Sequence, residues 1–461
     1  MIRLFKHYIP HAVILLGLID LVLLCLAGEI AWRVRAGQIG IDAGETLDRL
    51  WQLSAFAAII LTAMIAVGVY GADALRSMRF ATARLLVAIS LGVIGLAFVD
   101  FLLGGHNFWR STLAYTMAIA IVMLVLNRLV IGGLLGTAAF RRRVLVLGAG
   151  ARADRLRKLS ERPESGFVIV GYVAMTDSPP VVEESIARGA IHNLTRHVEN
   201  LDVSEVVLAL EERRNALPLA DLLRIKTTGV HVNDFSSFIE RETGRVDLDT
   251  VNPSWLIFSD GFSSGRALSS AAKRIFDILA SALLLVLTSP VIALFALLVK
   301  LDSKGPAFFR QTRVGLYGQN FDLIKLRSMR TDAEANGAQW AQKDDPRVTR
   351  LGKFIRKVRI DELPQAWAVL KGEMSFVGPR PERPEFVADL EEKLPYYAER
   401  HMVKPGITGW AQINYPYGAS IEDSRHKLEY DLYYAKNYTP FLDLLILLQT
   451  LRVVLWHEGA R

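Results

Sequence analysis

Four long apolar segments fill the first third of the chain, at residues 12–32, 53–70, 85–103 and 112–131. Each is close to the roughly 20 residues that cross a bilayer core as a helix. A spanning backbone must satisfy its own hydrogen bonds, so the series predicts a four-helix membrane bundle over residues 1–140. The first segment is too long, and too poor in a small-residue cleavage site, to be a signal peptide. Asp20 and Asp100 fall inside or near the ends of these spans. Each is expected to find a polar partner within the bundle.

Loop charge orients the bundle. Arg3 and Lys6 precede the first span, Arg76, Arg79 and Arg84 crowd the second loop, and Arg141, Arg142 and Arg143 follow the fourth span. The first outer loop balances its arginines with acids, and the third carries only Arg110. Both the N-terminus and everything after Arg141 are therefore expected on the cytoplasmic side. The net charge of +7 fits charge facing the inner leaflet or an acidic, phosphate-bearing substrate. The single cysteine, Cys25, excludes an intrachain disulfide and argues against a cysteine-based zinc site.

A fifth apolar run covers residues 275–299, with Lys273 and Arg274 at its leading end and Lys300, Lys304, Arg310 and Arg313 at or beyond its far end. Positive charge at both ends places both ends on one side. Ser289-Pro290 lies past the middle, and proline kinks or breaks a helix. The expectation is a broken, re-entrant helix over 274–300 that enters and leaves by one face. The alternative is a straight fifth span.

Between these membrane parts, residues 141–250 change pattern. RRRVLVLGAGARADRL joins a β-like run to a helix through Gly148, Gly150 and Ala153. Further β-like runs at 167–173, 206–210 and 230–232 and a helical stretch at 217–227 predict a parallel α/β, Rossmann-like domain. Glycines at a strand-to-helix turn let a phosphate approach the helix N-terminus. The acid expected after the second strand could only be Asp177, which is poorly placed. A Tyr-x-x-x-Lys pair is absent. The domain therefore reads as a degenerate, structural or regulatory remnant, with nucleotide binding as the alternative. Residues 251–270 form a linker.

The chemistry-bearing residues cluster in residues 271–461, an expected α+β domain. Two β-like runs flank a turn at 315–318, with Lys325, Arg327 and Arg330 on the second arm. Alone, that arm reads as a solvated basic edge. From Arg347 to Arg359 the chain carries six basic residues and no acid, and Arg359 opens RIDELPQ. Residues 362–371 can be helical, with Gly372 as the stop and Pro364 in the first turn. Asp361 and Glu362 then stand at the helix start. They are either an N-cap acid with a solvated neighbour, or a pair that shares a cation such as Mg²⁺ with substrate phosphates. Arg350, Lys353, Arg356, Lys357 and Arg359 supply charge to neutralise a diphosphate. Prolines on both sides of Arg380 hold its guanidinium in a narrow set of positions, which suits phosphate. The last apolar stretch, 439–456, carries Asp443, Gln449 and Arg452 and reads as an interfacial or a core helix.

The segments KRIFD, TSP, DSKGPAFFRQTRVG, LIKLRSM, DDPRVTRLGKFIRK, RIDELPQ, LKGEMSFVGPRPERPEF, RHMVKPGITGWAQIN and KLEYDLYYAKNYTPFLDL occur in one series. The series resembles the bacterial sugar transferases, the monotopic polyprenyl-phosphate phosphoglycosyl transferases. Upstream spans and a Rossmann-like domain resemble the large exopolysaccharide-initiating branch, and GRVDLDTVNPSWLIFSDGF resembles its exopolysaccharide-linked subgroup. The resemblance implies transfer of a sugar-1-phosphate from a UDP-sugar to polyprenyl (undecaprenyl) phosphate, with release of UMP. It implies that Asp361 is the nucleophile that carries the phosphosugar and that Glu362 helps hold Mg²⁺. It makes Arg356 a phosphate contact and places Pro379, Arg380 and Pro381 at the nucleotide end. Lys325 and Arg327 join the substrate-binding set. Lys273 and Arg274 become the basic pair leading into the re-entrant helix, and Ser289-Pro290 its break.

The implied setting is the bacterial inner membrane, with the catalytic domain cytoplasmic. Exopolysaccharide assembly machinery or a second copy of the chain are conceivable partners, and nucleic acid is not. One departure is visible: many relatives carry Asn where this chain has Ala368, which puts the bracing of the active-site helix in question. Two rival readings are a sugar-nucleotide-modifying enzyme working through the Rossmann-like domain, and a non-catalytic scaffold.

Overall fold

The structure is a computed structural model that describes residues 2–4, 7–9, 11–70, 78–103, 110–134, 141–162, 165–176, 179–211, 217–251, 267–333, 345–416, 418 and 420–456. Its contacts divide the chain into one unit built on Tyr8–Gly244 and another that starts at Arg245.

Each expected span is helical: α1 (His11–Ile39), α2 (Leu50–Val67), α3 (Met78–Leu103) and α4 (Arg110–Leu134). Among the described residues, Val13–Ile39, Thr46–Val67, Ser111–Val130 and Ser270–Asp302 are long and apolar enough to cross a membrane. In α3 the described apolar stretch is Ala81–Ala97. Asp20 on α1 is fully buried and finds its partners in the bundle. Arg128 on α4 grips it with Nη2 (2.6 Å) and Nη1 (3.1 Å), while Asn127 Nδ2 (2.9 Å) and Tyr70 Oη (2.8 Å) donate to the same carboxylate. A buried charge is tolerable only when paired and hydrogen-bonded like this. The side chain of Asp100 lies outside the described residues. Arg84, counted above as loop charge, is instead buried in α3 and donates to Gly68 O (2.9 Å), at the left-handed cap of α2.

The same unit continues into a parallel sheet. Its elements are β1 (Arg142–Leu147), α5 (Ala151–Ser160), β2 (Phe167–Ala174), β3 (Ser185–Ala187), α6 (Leu194–Asn200), β4 (Glu205–Leu208), α7 (Leu219–Thr227), β5 (His231–Asp234) and α8 (Phe235–Thr243). Strand order is β3-β2-β1-β4-β5, all parallel. Val144 to Leu147 are wholly buried, as a central strand covered on both faces requires. One core contains Val144, Val146, Phe167 and Phe238, and the other Leu145, Leu147, Leu194 and Ile225.

The second unit begins with residues 245–251, whose Val246 and Leu248 belong to its core. Residues 252–266, in the expected linker, lie outside the described residues. There follow α9 (Ala267–Asp302), the antiparallel hairpin β6 (Phe308–Val314) and β7 (Asn320–Leu326), and α10 (Arg350–Lys357). Next come α11 (Ala366–Lys371), β8 (Ser375–Val377), α12 (Pro384–Lys393), β9 (Gly406–Thr408), α13 (Trp410–Asn414), α14 (Ile421–Asn437) and α15 (Pro440–Trp456). Strands β8 and β9 pair in parallel. Leu428, Leu432 and Tyr434 of α14 pack with Leu442 and Ile446 of α15, so α15 gives one face to the core.

α9 contains the fifth apolar run together with Pro290. Backbone helicity runs unbroken from Ala267 to Asp302 through Pro290. Proline at 290 leaves Val286 O without its usual helical donor. The Ser289 hydroxyl fills that place, donating to Val286 O at 2.9 Å, and Thr288 Oγ1 donates to Leu284 O at 2.7 Å. The Ser289 hydroxyl thus satisfies the one carbonyl that Pro290 leaves without its helical donor.

Candidate active site

The basic helix α10 ends at Lys357, and Arg359 adopts a left-handed conformation (φ 60°) that redirects the chain. A 3₁₀ turn, Ile360–Gln365, then leads into α11, which Gly372 closes at φ 95°. Asp361 and Glu362 therefore sit inside a tight turn wedged between two helices, not at the N-cap of one helix. The difference follows from Arg359, whose positive φ only structure reveals.

Glu362 is surrounded by cations. Lys325 Nζ lies 3.6 Å and Arg380 Nη2 3.5 Å from Oε1, and Arg359 Nη1 lies 3.4 Å from Oε2. Burial pushes this carboxyl up, but Lys325, Arg380 and Arg359 outweigh it and hold the group down to about 2. Asp361 is treated oppositely. It is buried, and burial together with the charge of Glu362 raises it to about 6 against the pull of Lys325, Arg356 and Arg359. Burial likewise pulls Lys325 down to about 8 despite Glu362. One fixed anion thus stands beside one poised carboxyl, the separation that assigns different roles to two neighbouring acids.

Asp361 Oδ1 is buried and has no hydrogen-bond partner among the described residues. A solitary buried carboxylate oxygen beside an ionised carboxylate suits a hard divalent cation. No cluster of three or more His, Cys, Asp or Glu accompanies it among the described residues. The donor set matches Mg²⁺, which is usually held by one or two carboxylates plus water and substrate phosphates.

The Pro379, Arg380, Pro381 turn follows β8, and the β8–β9 pairing brings the turn beside the 406–408 strand. Its Arg380 is the only member to reach the acidic pair directly, through Glu362. Ala368 faces a small apolar cluster with Phe321, Leu323, Val369 and Met374. Its carbonyl accepts from the N–H groups of Gly372 (3.1 Å), Glu373 (3.0 Å) and Met374 (3.2 Å). Backbone bonds and apolar packing hold this helix, with alanine at the position.

The family model described as bacterial sugar transferase matches residues 268–457. A second, described as CoA-binding domain, matches residues 65–226. An Aeromonas hydrophila UDP-N-acetylgalactosamine-undecaprenyl-phosphate N-acetylgalactosaminephosphotransferase is 44% identical over 240 residues, which are 52% of this chain and 56% of that protein. The chain thus spans little more than half the length of that relative. A Caulobacter vibrioides UDP-glucose:undecaprenyl-phosphate glucose-1-phosphate transferase is 41% identical over 197 residues, 42% of this chain and 74% of that protein. A Xanthomonas campestris pv. campestris protein of the same description is 29% identical over 494 residues, 99% of this chain and 96% of its own. The chain belongs to the bacterial sugar transferase family.

In this bacterial sugar transferase, other residues singled out in the sequence serve the apolar helix α9. Lys273 Nζ donates to Asp443 Oδ2 (2.5 Å), Val377 O (3.0 Å) and Tyr434 Oη (3.2 Å). Arg274 donates to Val369 O and Leu370 O, both at 2.7 Å, at the C-terminal end of α11. Arg327 does not reach the acidic pair. Its Nη2 donates to Ser303 O (2.7 Å), Ser303 Oγ (2.9 Å) and Val299 O (3.3 Å), and its Nη1 to Lys304 O (3.1 Å). It caps the far end of α9, the favourable place for a cation on a helix. Both ends of α9 are therefore fastened to the same unit.

Sequence reasoning missed Asp277, buried on α9, which accepts from Ser375 Oγ and Phe376 N–H, both at 3.1 Å. It also missed the buried pair Arg400 and Asp431. An acid inside an apolar run was the available signal for Asp277. In the middle domain, Gly148 takes φ 132° at the turn, but the first N–H of α5, Ala151, donates to Glu211 Oε1 (2.9 Å). The chain's own carboxylate stands where a nucleotide phosphate would approach. Asp177 lies outside the described residues.

Proposed function

We propose that the protein transfers a sugar-1-phosphate from a UDP-sugar to polyprenyl phosphate, with Asp361 as nucleophile. The observation that carries this reading is the split between buried Asp361 and half-buried Glu362, adjacent in one turn with opposite electrostatic treatment. A carboxylate nucleophile divides one difficult transfer into two easier ones. Asp361 Oδ attacks the β-phosphorus of the donor; a P–O bond forms as the bond to UMP breaks, and UMP departs. An oxygen of polyprenyl phosphate then attacks the same phosphorus, releases the carboxylate and takes the sugar phosphate. Mg²⁺, held by Asp361 and Glu362 with the donor phosphates, would supply charge neutralisation on the phosphoryl oxygens. Arg380 and Lys325 bring positive charge to the same side of Glu362, where a diphosphate can be bound and oriented. Arg356 adds its charge next to Asp361.

The re-entrant arrangement of α9 belongs to the same proposal. A straight 33-residue apolar helix would extend roughly 50 Å, against roughly 30 Å for the hydrocarbon core. A crossing helix would put its ends on opposite sides. Lys273 and Arg274 at one end and Ser303 and Lys304 at the other are all bonded to the same folded unit, which supports both ends on one side. Loop charges support the cytoplasmic side of the inner membrane. There the lipid phosphate and the soluble donor can both reach Asp361, as a first membrane step of exopolysaccharide synthesis requires.

The test is purified protein with Mg²⁺, undecaprenyl phosphate and a panel of UDP-sugars including UDP-glucose and UDP-N-acetylgalactosamine, with UMP as the readout. One donor is expected to release UMP, Asp361→Asn to abolish release, and EDTA to stop it. Undiminished release by Asp361→Asn would remove that residue from its role.

A further inference from the structure

Prolines at 379 and 381 leave Arg380 as the only residue of its turn with a backbone N–H, so the turn can be gripped mainly by its carbonyls. All three carbonyls are gripped, each by a different donor. Gly406 N–H donates to Pro379 O (2.9 Å), Arg400 Nη2 to Arg380 O (2.9 Å) and Arg313 Nη1 to Pro381 O (3.0 Å). Just upstream, Gly378 N–H donates to Thr408 O (2.9 Å).

Arg400 is itself immobilised. It is 4% exposed, and its Nη2 and Nε donate to Asp431 Oδ2 at 2.7 and 3.0 Å, while Nη1 donates to Tyr397 Oη at 2.9 Å. Asp431, 2% exposed, is set in the middle of α14. Arg313 is likewise accompanied by Glu382, 3.6 Å away. Both gripping arginines thus carry their own carboxylate partners. Stability alone is a weak explanation for the Arg400–Asp431 pair, because buried ion pairs are commonly no better for stability than apolar replacements of similar volume. What an apolar pair could not do is donate to the carbonyl of Arg380.

We propose that Arg400, fixed by Asp431, and Arg313 are positioning residues that orient the Arg380 peptide so that its guanidinium is presented to the nucleotide diphosphate. The proposal rests on the reading of Asp361 and Glu362 as a phosphoryl-transfer centre. Proline rings fix φ on both sides, and the pinned carbonyls fix the peptide planes. The side chain of Arg380 is then delivered to within 3.5 Å of Glu362. A small misplacement of such a group lowers turnover by up to about 100-fold.

The test uses the full chain in detergent with Mg²⁺, undecaprenyl phosphate and whichever UDP-sugar the wild type accepts. Arg400→Lys can pair with Asp431 or reach the carbonyl of Arg380, but not hold both as the guanidinium does. It is expected to lower kcat/KM by about 10- to 100-fold. In an Arg380→Ala background the same change is expected to add almost nothing, because there is no longer a guanidinium to orient. Arg313→Gln, at a more exposed position, is the second variant and should show the same non-additivity. Independently of turnover, hydrogen exchange at Gly378 and Gly406, whose N–H groups tie the turn to β9, should quicken in both single variants while exchange in α14 stays slow. Equal losses in both backgrounds, or unchanged exchange at these two glycines, would overturn the proposal. A wild type inactive with every donor would instead sink the functional reading, and the exchange measurement would still decide whether the turn is pinned.

Discussion

At the scale of single residues, Asp361 and Glu362 differ only by a methylene, yet their surroundings separate them. Glu362 has three cations within 3.6 Å, and Asp361 has a buried oxygen without a partner. Above pH 6 the folded protein must keep Asp361 ionised against burial and against Glu362. The rise from 3.8 to about 6 corresponds to about 3 kcal/mol. This penalty is fully present above pH 6, fades as pH falls from 6 towards 3.8, and is absent below. Asp361→Asn is therefore expected to raise the melting temperature at pH 8 in EDTA, with the gain shrinking towards pH 5. A melting temperature that drops in the variant at pH 8 would contradict the assignment of strain to this carboxylate. For the wild type, kcat/KM at saturating Mg²⁺ should fall only at a pH below about 6, because a bound cation favours the ionised form of the carboxylate that burial and Glu362 push up. Adjacent acids after a basic run made the pair legible in the sequence. Which acid gives up its proton more readily was not legible, because Lys325 and Arg380 reach Glu362 from elements distant in the chain.

At the scale of elements, hydrophobic length revealed the four N-terminal helices, and strand alternation revealed the middle sheet, because both patterns are local. The fastenings of α9 were hidden, because backbone carbonyls accept most of the bonds from Arg274 and Arg327 and a sequence does not show which carbonyls are open. Arg327 stood beside Lys325 as one more basic residue until its acceptors were seen. Gly305, at φ 125°, lies where a Cβ would collide with Arg327 Nη1. Gly305→Ala should cost about 1–3 kcal/mol in chemical denaturation of the C-terminal unit, and no loss would contradict the clamp. Inside the bundle, Arg128→Leu leaves Asp20 buried and unpaired, with an expected loss of about 3–5 kcal/mol. The double variant Asp20→Leu, Arg128→Leu should recover most of that loss, and failure to recover would mean the pair does more than balance charge.

At the scale of the whole molecule, the expectation of a re-entrant helix can be tested without activity. Replacing Cys25 by Ser leaves a chain without cysteine. Single cysteines at Ala271 and Lys304 should then both react with an impermeant maleimide only after the inner face is opened. Labelling of Lys304→Cys from outside would make α9 a crossing span. The middle sheet carries the strand order and glycine turn of a nucleotide-binding fold. Because Glu211 takes the first N–H of α5, addition of CoA, NAD or UDP is expected to leave the exchange of residues 148–153 unchanged. Protection there on adding one of them would show that the carboxylate yields.

The most direct measurement concerns the carboxylate that is to carry the sugar phosphate. Purified protein with Mg²⁺ and a UDP-sugar labelled at the β-phosphorus, but without lipid acceptor, should acquire label on the peptide containing Asp361, and polyprenyl phosphate should chase that label into lipid. Lipid product that accumulates while no label ever reaches this peptide would contradict the account.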